Sequence, residues 1–354
     1  MAILITGGAG FIGSNFILNW CSDTDEPIIN IDKLTYAGNL DNLISLKSNM
    51  QHNFINGDIG DVILLDKILR EYSPRAIINF AAESHVDRSI DGPDEFIQTN
   101  IIGTYRLLQC TLDYWRHLDD QKKDKFRFLH ISTDEVFGSL GITDPPFSET
   151  NRYEPSSPYS ASKAASDHLA RAWHRTYELP VIITNCSNNY GPFQFPEKLI
   201  PLVITNALNG KILPIYGDGM QIRDWLYVED HCNAICMVLK DGIPGQTYNI
   251  GGHNEKSNIE LVNMICLLLD NLFPKKNGTS YRDQIRYVTD RPGHDRRYAI
   301  NAEKIENELN WKPSETFKTG IYKTVKWYLD HQEWTREITN RIHQHKMLNN
   351  KKHQ

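Results

Sequence analysis

The chain has 354 residues, so a prior of roughly one domain per 150 residues gives two domains, each able to bury a core. Hydrophobic residues at 40% and charged residues at 23% describe an ordinary globular protein and exclude disordered and collagen-like classes. A formal net charge of -6 gives no overall positive field of the kind that sequence-blind nucleic-acid binding requires, so the expected partners are small molecules and no nucleic acid.

The opening, MAILITGGAGFIG, has no basic segment followed by a long apolar core. No run reaches the roughly 18 apolar residues of a membrane span, so no membrane partner is expected. Ala2 to Thr6 is a short apolar run, and Phe11 to Trp20 reads as a helix, which predicts a strand, a tight turn and a helix. Further buried strands are predicted at Pro27 to Ile31, His52 to Ile55, Ala76 to Phe80, Phe126 to Ser132 and Val181 to Asn185, with helical stretches between most of them. That alternation predicts an α/β fold: a Rossmann-type doubly wound parallel sheet with a smaller C-terminal α/β substrate-binding domain. The expected boundaries are 1–190 for the first domain, with returning segments near 222–252, then 191–330, then a polar tail over 331–354. YNIGGHNEKSNIE reads as a strand, a Gly-Gly turn and a helix start, and DRPGHDRRY as a charged loop outside the core. The cysteines, Cys21, Cys110, Cys186, Cys232, Cys236 and Cys266, form no CxxC pair. Neither zinc nor a disulfide framework is expected, which suits the cytoplasm.

Gly8, Gly10 and Gly13 satisfy GxGxxG directly after the first strand and before the first helix, the context that a dinucleotide fingerprint needs. A helix N-terminus there offers amide donors and a positive dipole end to a pyrophosphate. Asp32 follows Gly13 by 19 residues, where an acid accepts from ribose hydroxyls and repels a 2'-phosphate, favouring NAD over NADP. Lys33 softens that preference, and a turn or cap role for Asp32 is the competing reading. Asp58, and Phe80, Ala81, Ala82, Glu83 and Ser84, fall at carboxyl ends of strands, where such sheets bind ligands.

Tyr159 and Lys163 form YxxxK, and an i,i+4 pair shares one helix face. A phenol works as a base near neutral pH only if a cation stabilises its phenolate, which the lysine can do. Tyr322 and Lys326 repeat the spacing in an amphipathic stretch and read as structural. Thr133, Asp134 and Glu135 follow the apolar strand FLHIS. Two adjacent acids pushed to different pKa values can act as proton donor and acceptor in one reaction, which plain alcohol oxidation does not need. An ordinary acidic capping turn is the competing reading.

TGGAGFIG, YSASK and the long second part resemble the extended short-chain dehydrogenase/reductase family from about Met1 to Tyr328. STDEVFG, DHLARAW, TNCSNNYGP, FPEKLIP, YGDGMQIRDWLYVEDH, YNIGGHNE and RPGHDRRY resemble the branch of that family that dehydrates sugar nucleotides between C4 and C6. The resemblance implies a hydro-lyase acting on dTDP-glucose in deoxysugar biosynthesis, with NAD+ tightly bound and regenerated each cycle. It implies Tyr159 as base for the C4 hydroxyl, Thr133 as partner of that oxygen, and Lys163 as electrostatic support. Glu135 would take the C5 proton and Asp134 would protonate the departing C6 hydroxyl. For the cofactor it implies Gly7, Gly10, Phe11, Ile12, Gly13, Asp32, Lys33, Leu34, Thr35, Asp58, Ile59, Phe80, Ala81, Ala82, Ser84, Thr99, Tyr159, Lys163 and Asn189. For the nucleotide sugar it implies Ser84, Thr133, Asn188, Lys198, Leu199, Pro214, Ile215, Tyr216, Arg223, Asn258, Arg291 and His294. For Arg223 a surface ion pair with Asp224 or Asp218 is the competing reading, and His294 reads equally as a loop histidine. No metal is implied, and a homodimer is, with the helices before Tyr114 and around Tyr159 as contributors. A 4-epimerase, a UDP-glucose 4,6-dehydratase, a net dehydrogenase and a non-catalytic nucleotide-binding protein are the alternatives; product analysis separates the enzymes.

Overall fold

A computed structural model describes residues 2–290 and 293–341. Short apolar runs become strands of one sheet: β1 (Ile3–Thr6), β2 (Ile28–Asp32), β3 (His52–Asn56), β4 (Ala76–Asn79), β5 (Arg127–Thr133) and β6 (Val181–Cys186). The chain then gives β7 (Asn188–Tyr190), β8 (Leu213–Tyr216), β9 (Ile222–Tyr227), β10 (Thr247–Ile250), β11 (Glu255–Ser257) and β12 (Ile285–Val288). The large sheet runs β3-β2-β1-β4-β5-β6-β10 and is parallel throughout. Helices cover both faces, which is why its inner strands carry near-continuous apolar residues rather than alternating ones. Strand order reverses between β1 and β4, and ligands of such sheets sit outside the carboxyl ends at that switch point.

The Rossmann-type expectation holds, and the crossing between the two parts is more interleaved than the sequence indicates. Within the returning stretch expected near 222–252, β9 joins a separate three-stranded sheet with β7 and β11. Helix Val228–Asp241 and β10 do return, with Val228, Cys232 and Ile235 in the same core as Phe16 and Ile17. A second return was not foreseen: Ala302, Ile305, Leu309 and Trp311 pack into that core as well. The smaller part has its own core around Tyr190, Ile204, Trp225, Leu261, Ile265 and Tyr328, with β8 and β12 paired beside it.

Two expectations are corrected. In DRPGHDRRY, Arg297 and Tyr298 are buried rather than outside the core; Arg297 pairs with Glu255 at 2.6 Å, which satisfies its charge there. Of the polar tail expected at 331–354, residues 332–341 are helical, and 342–354 lie outside the described residues. Trp334, Ile338 and Arg341 share one face of that helix by their spacing. Trp334 Nε1 donates to Asn42 Oδ1 at 3.0 Å, Ile338 is buried with Phe195, and Arg341 bonds Asn39 and Asp41. Among the described residues no helix is long and apolar enough to cross a membrane.

Candidate active site

The turn after β1 sets the site's first wall. Gly7 has φ +70°, and a Cβ on it would stand 2.6 Å from Ala81 N. A Cβ on Gly13 would stand 2.4 Å from Gly7 O, whereas one on Gly10 would meet only Gly7 O at 3.2 Å. Gly8 differs: its Cβ would strike Asn30 Oδ1 and Ile17 beneath the turn, so it is a packing residue. The working spacing is therefore Gly7, Gly10, Gly13, one residue displaced at its start from the GxGxxG reading. Gly7→Ala combines a left-handed backbone with a backbone clash, and should cost about 1–3 kcal/mol of stability. Calorimetry should show a Tm lowered by several degrees; a wild-type Tm would contradict this account of the turn.

Asp32 closes the same wall. Its carboxylate accepts from Ala9 N at 2.9 Å and from Leu34 N at 2.8 Å, so its cap-like bonds and its place at the end of β2 occur together. Burial raises its pKa, and those two amides oppose the rise. Lys33 is engaged with Asp58 at 2.9 Å. Burial works to raise Asp58, but the Lys33 hydrogen bond and charge hold it below its ordinary value.

A cleft of about 300 Å³ opens at the switch point, and every residue expected at the cofactor lines it except Leu34. Leu34 contributes its backbone N–H to Asp32 instead. Thr133, Asp134, Glu135, Tyr159, Lys163, Ser84, Asn188 and Lys198 line the same cleft. Buried polar side-chain atoms normally have partners, yet Asp134 Oδ2, Asn188 Oδ1, His85 Nδ1 and Gln194 Oε1 have none, and all four belong to residues of this cleft. The glycine turn, the buried acid at the end of β2 and the orphaned polar atoms together fit a dinucleotide with a polar second ligand.

The chemistry gathers where β5 ends. Thr133 caps the 3-10 turn Asp134–Phe137, its Oγ1 accepting from Glu135 N and donating to Asp134 Oδ1, both at 3.3 Å. Asp134 is 1% exposed. Burial first, then the charges of Glu135 and Asp224, push its pKa well above the ordinary 3.8, with Arg223 and Thr133 opposing. Such a placement favours the neutral carboxyl, the form that can donate a proton. Helix Pro158–Tyr177, with a Ser157–Ser160 capping box and Pro158 in its first turn, presents Tyr159 and Lys163 to the same space. Burial, then the charge of Glu135, push the Tyr159 phenol upward, while a hydrogen bond with Thr133 works the other way. Base action by Tyr159 therefore needs positive charge brought beside it. Lys163 is buried, and its ammonium donates to Ile131 O at 2.8 Å.

Residues expected at the sugar nucleotide are spread more widely. Arg223 is buried, donates to Ile222 O and Asp295 O, and stacks 4.3 Å from the Tyr298 ring; Asp218 pairs with Arg296 instead. Asn258 opens helix Asn258–Leu272, Leu199 opens helix Leu199–Leu208, and His294 bonds Asp290 at 2.6 Å. Along β8, Pro214 is half-buried and Tyr216 exposed, but Ile215 is 1% exposed in the core. The period-2 alternation of a strand turns Ile215 inward, so it offers no side chain to a ligand. Arg291 lies outside the described residues.

Sequence reasoning missed several members. Tyr36, His85, Gln194 and Phe195 enter the cleft from distant segments, with Tyr36 edge-on to Phe195 and 3.7 Å from the Arg88 guanidinium. Asn100, in the π-helical stretch Ile97–Gly103, donates to Ser162 Oγ at 2.8 Å and clamps both backbone groups of Glu83. Such π-helical turns occur often at functional sites, and nothing local in IQTNIIG signals this one.

Residues 4–324 match the model of the GDP-mannose 4,6 dehydratase family. The chain is 59% identical over 352 residues to the dTDP-glucose 4,6-dehydratase of Salmonella typhimurium, covering 97% of each. The enzyme of that name from Neisseria meningitidis is 57% identical over 340 residues, covering 96% of each. Among solved structures, the dTDP-glucose 4,6-dehydratase of Streptomyces venezuelae with NAD and TYD bound superposes with a TM-score of 0.86 at 45% identity, covering 96% of this chain and 100% of that one. A UDP-glucose 4-epimerase of Thermotoga maritima solved with UDP-glucose reaches 0.82 at 26%, covering 93% and 99%. Matched along nearly its whole length by relatives that share more than half its residues, the chain belongs to the GDP-mannose 4,6 dehydratase family.

Proposed function

We propose that this chain is an NAD-dependent hydro-lyase that converts dTDP-glucose to dTDP-4-keto-6-deoxyglucose. The observation that carries this reading is Asp134, buried at the end of β5 and pushed toward its neutral form, beside Glu135 and within hydrogen-bond contact of Thr133. An oxidation or a 4-epimerisation alone needs no such acid; elimination of a hydroxyl does. The near full-length relatives, which carry that activity in their names, support it.

Gly7, Gly10, Gly13, Asp32 and Lys163 would hold the cofactor, NAD+, which supplies the acceptor for the C4 hydride and the donor that returns it to C6. Tyr159 takes the proton of the C4 hydroxyl, and Thr133 hydrogen-bonds the same oxygen. Lys163 adds the positive charge that a buried phenolate requires. A ketone at C4 makes the C5 proton acidic, because the carbanion is delocalised as an enolate. Glu135 removes that proton and Asp134 gives its own to the C6 hydroxyl, which leaves as water; the proton then held by Glu135 goes back to C5, so that the net change is the loss of one water. Arg223, Asn188, Lys198, Asn258 and His294 are assigned to the nucleoside diphosphate, with Tyr216 and Pro214 against the base.

A homodimer is part of the reading. Helices Thr104–Arg116 and Pro158–Tyr177 lie side by side and carry exposed Tyr105 and Tyr177, which flank Trp173 edge-on. Aromatic residues of this kind are enriched in subunit interfaces. The cytoplasm, which keeps cysteines reduced, is the compartment proposed. NMR of the product from dTDP-glucose and purified protein tests the function: a 6-deoxy 4-ketone without net NADH is expected. Retained C6 hydroxyl or accumulating NADH would overturn it.

A further inference from the structure

Beneath the cleft, a row of polar side chains crosses a sheet that is otherwise apolar. Thr6, Asn79 and His130 face one another in register on β1, β4 and β5. Thr6 Oγ1 donates to Asn79 Oδ1 at 2.6 Å, and Asn79 Nδ2 lies 3.2 Å from His130 Nδ1. With the Asn79 oxygen taken, its amide is the donor, so His130 Nδ1 accepts and the imidazole proton sits on Nε2. That nitrogen lies 3.2 Å from Ser166 Oγ and 3.3 Å from Asp167 Oδ1. The Ser166 hydroxyl already donates to Lys163 O at 2.8 Å.

The row ends on Asp167, which is completely buried. It follows Lys163 by one helical turn and Tyr159 by two, so the three share one face. Its Oδ2 accepts from the Tyr153 hydroxyl at 2.8 Å and from Asn185 Nδ2 at 3.2 Å. Asn185 Nδ2 also donates to Thr133 O at 3.0 Å, tying the carboxylate to the backbone of the reaction centre.

An ionised carboxylate is costly to bury, and so is an ammonium. Burial works to raise Asp167, but the His130 imidazole 3.3 Å away and the charge of Lys163 hold it below the ordinary carboxylate range. Burial lowers Lys163, and the largest opposing influence is the charge of Asp167, with Cys186 next. Arg171 approaches from the same helix, stacked 4.6 Å over Tyr153, and donates to its hydroxyl at 2.5 Å. Arg171 also acts on His130, which burial first, and then Lys163, push down to about 4. His130 therefore stays neutral, and among these groups Asp167, one helical turn beyond Lys163, is the negative charge that acts on it.

We propose that Asp167 is a positioning residue for the reaction at Tyr159: it keeps Lys163 charged inside a dry site and, through Asn185, fixes Thr133. The catalytic part rests on the roles assigned under the proposed function; the electrostatic part does not. The test is a carbon-13 NMR titration of lysine labelled at Cε, with the Lys163 resonance assigned by its loss in Lys163→Met. In Asp167→Asn the Lys163 midpoint should fall by at least about one unit, tenfold in the equilibrium. Turnover of dTDP-glucose should fall about tenfold with KM changed less than about twofold, the mark of lost transition-state stabilisation. An unchanged midpoint overturns the proposal whatever the activity. Should Asp167→Asn fail to fold by circular dichroism, Asp167→Glu decides: the charge is kept, so the midpoint should stay near wild type, and a fall of about one unit or more overturns it. A wild type inactive on dTDP-glucose counts against the assigned function alone, because the titration needs no substrate.

Discussion

Replacing Asp134 by Asn should cut formation of the 6-deoxy product by about 10²–10⁴-fold while leaving oxidation at C4 in place. The amide fills the same space but has no acidic proton to give to the departing hydroxyl. Mixing the variant with dTDP-glucose should raise the absorbance of reduced nicotinamide to a plateau that does not decay, because the second half of the cycle is blocked. Turnover at the wild-type rate would remove Asp134 as the acid. The pH dependence has a definite sign. A carboxyl whose pKa is raised in the folded protein, here by burial and by Glu135 and Asp224, carries its proton until the pH climbs through that raised value. Elimination is therefore present below it and lost above it. Any stability linked to the neutral form follows the same direction.

Glu135→Gln should be as costly, about 10²–10⁴-fold, and is separated from Asp134→Asn by what survives. The base works before the acid, so Asp134→Asn should still exchange the C5 proton with deuterated solvent, and Glu135→Gln should not. NMR of the recovered sugar nucleotide after incubation in deuterium oxide reads this directly. Exchange at the wild-type rate in Glu135→Gln would move the base to another residue of the cleft. The separation is possible because β5 ends on a 3-10 turn that buries Asp134 and leaves Glu135 half-buried at the cleft wall. One residue of displacement along the turn gives the two acids different burial, the condition under which one can hold a proton while the other accepts one.

How much could be read before the fold was known depended on the range of the interaction. The strand, glycine turn and helix from Ile3 to Asp23 were legible because each signal is local: an apolar run, residues without Cβ, then a helical stretch. Tyr159 and Lys163 were legible for the same reason, since four residues of helix suffice to align them. The GxGxxG pattern starts on Gly8 while the resemblance points to Gly7, and only the neighbours brought by the fold, Ala81 over Gly7 and Asn30 and Ile17 under Gly8, distinguish the two. The resemblance points to Ile215 at the ligand, and strand alternation turns its side chain into the core. The helix at 332–341 was taken for a tail because its polar residues outnumber its anchors; what holds it is Asn39, Asp41 and Asn42, from the other end of the chain.

The amino-acid sequence by itself determined the class of fold and the family, since strand and helix periodicity and local motifs are read over a few turns or strands, and it named the candidate reacting side chains through the resemblance. The tertiary structure alone decided which acid is pushed toward its neutral form and which carboxylate's charge acts on Lys163. Asp134 is raised by burial and by Glu135 beside it and Asp224 on β9, against the charge of Arg223 on the same strand, and Asp167 is held below its ordinary value with His130 of β5 3.3 Å away. A pKa is set by burial and by charges within a few ångströms, and residues that meet at that distance need not be near one another along the chain.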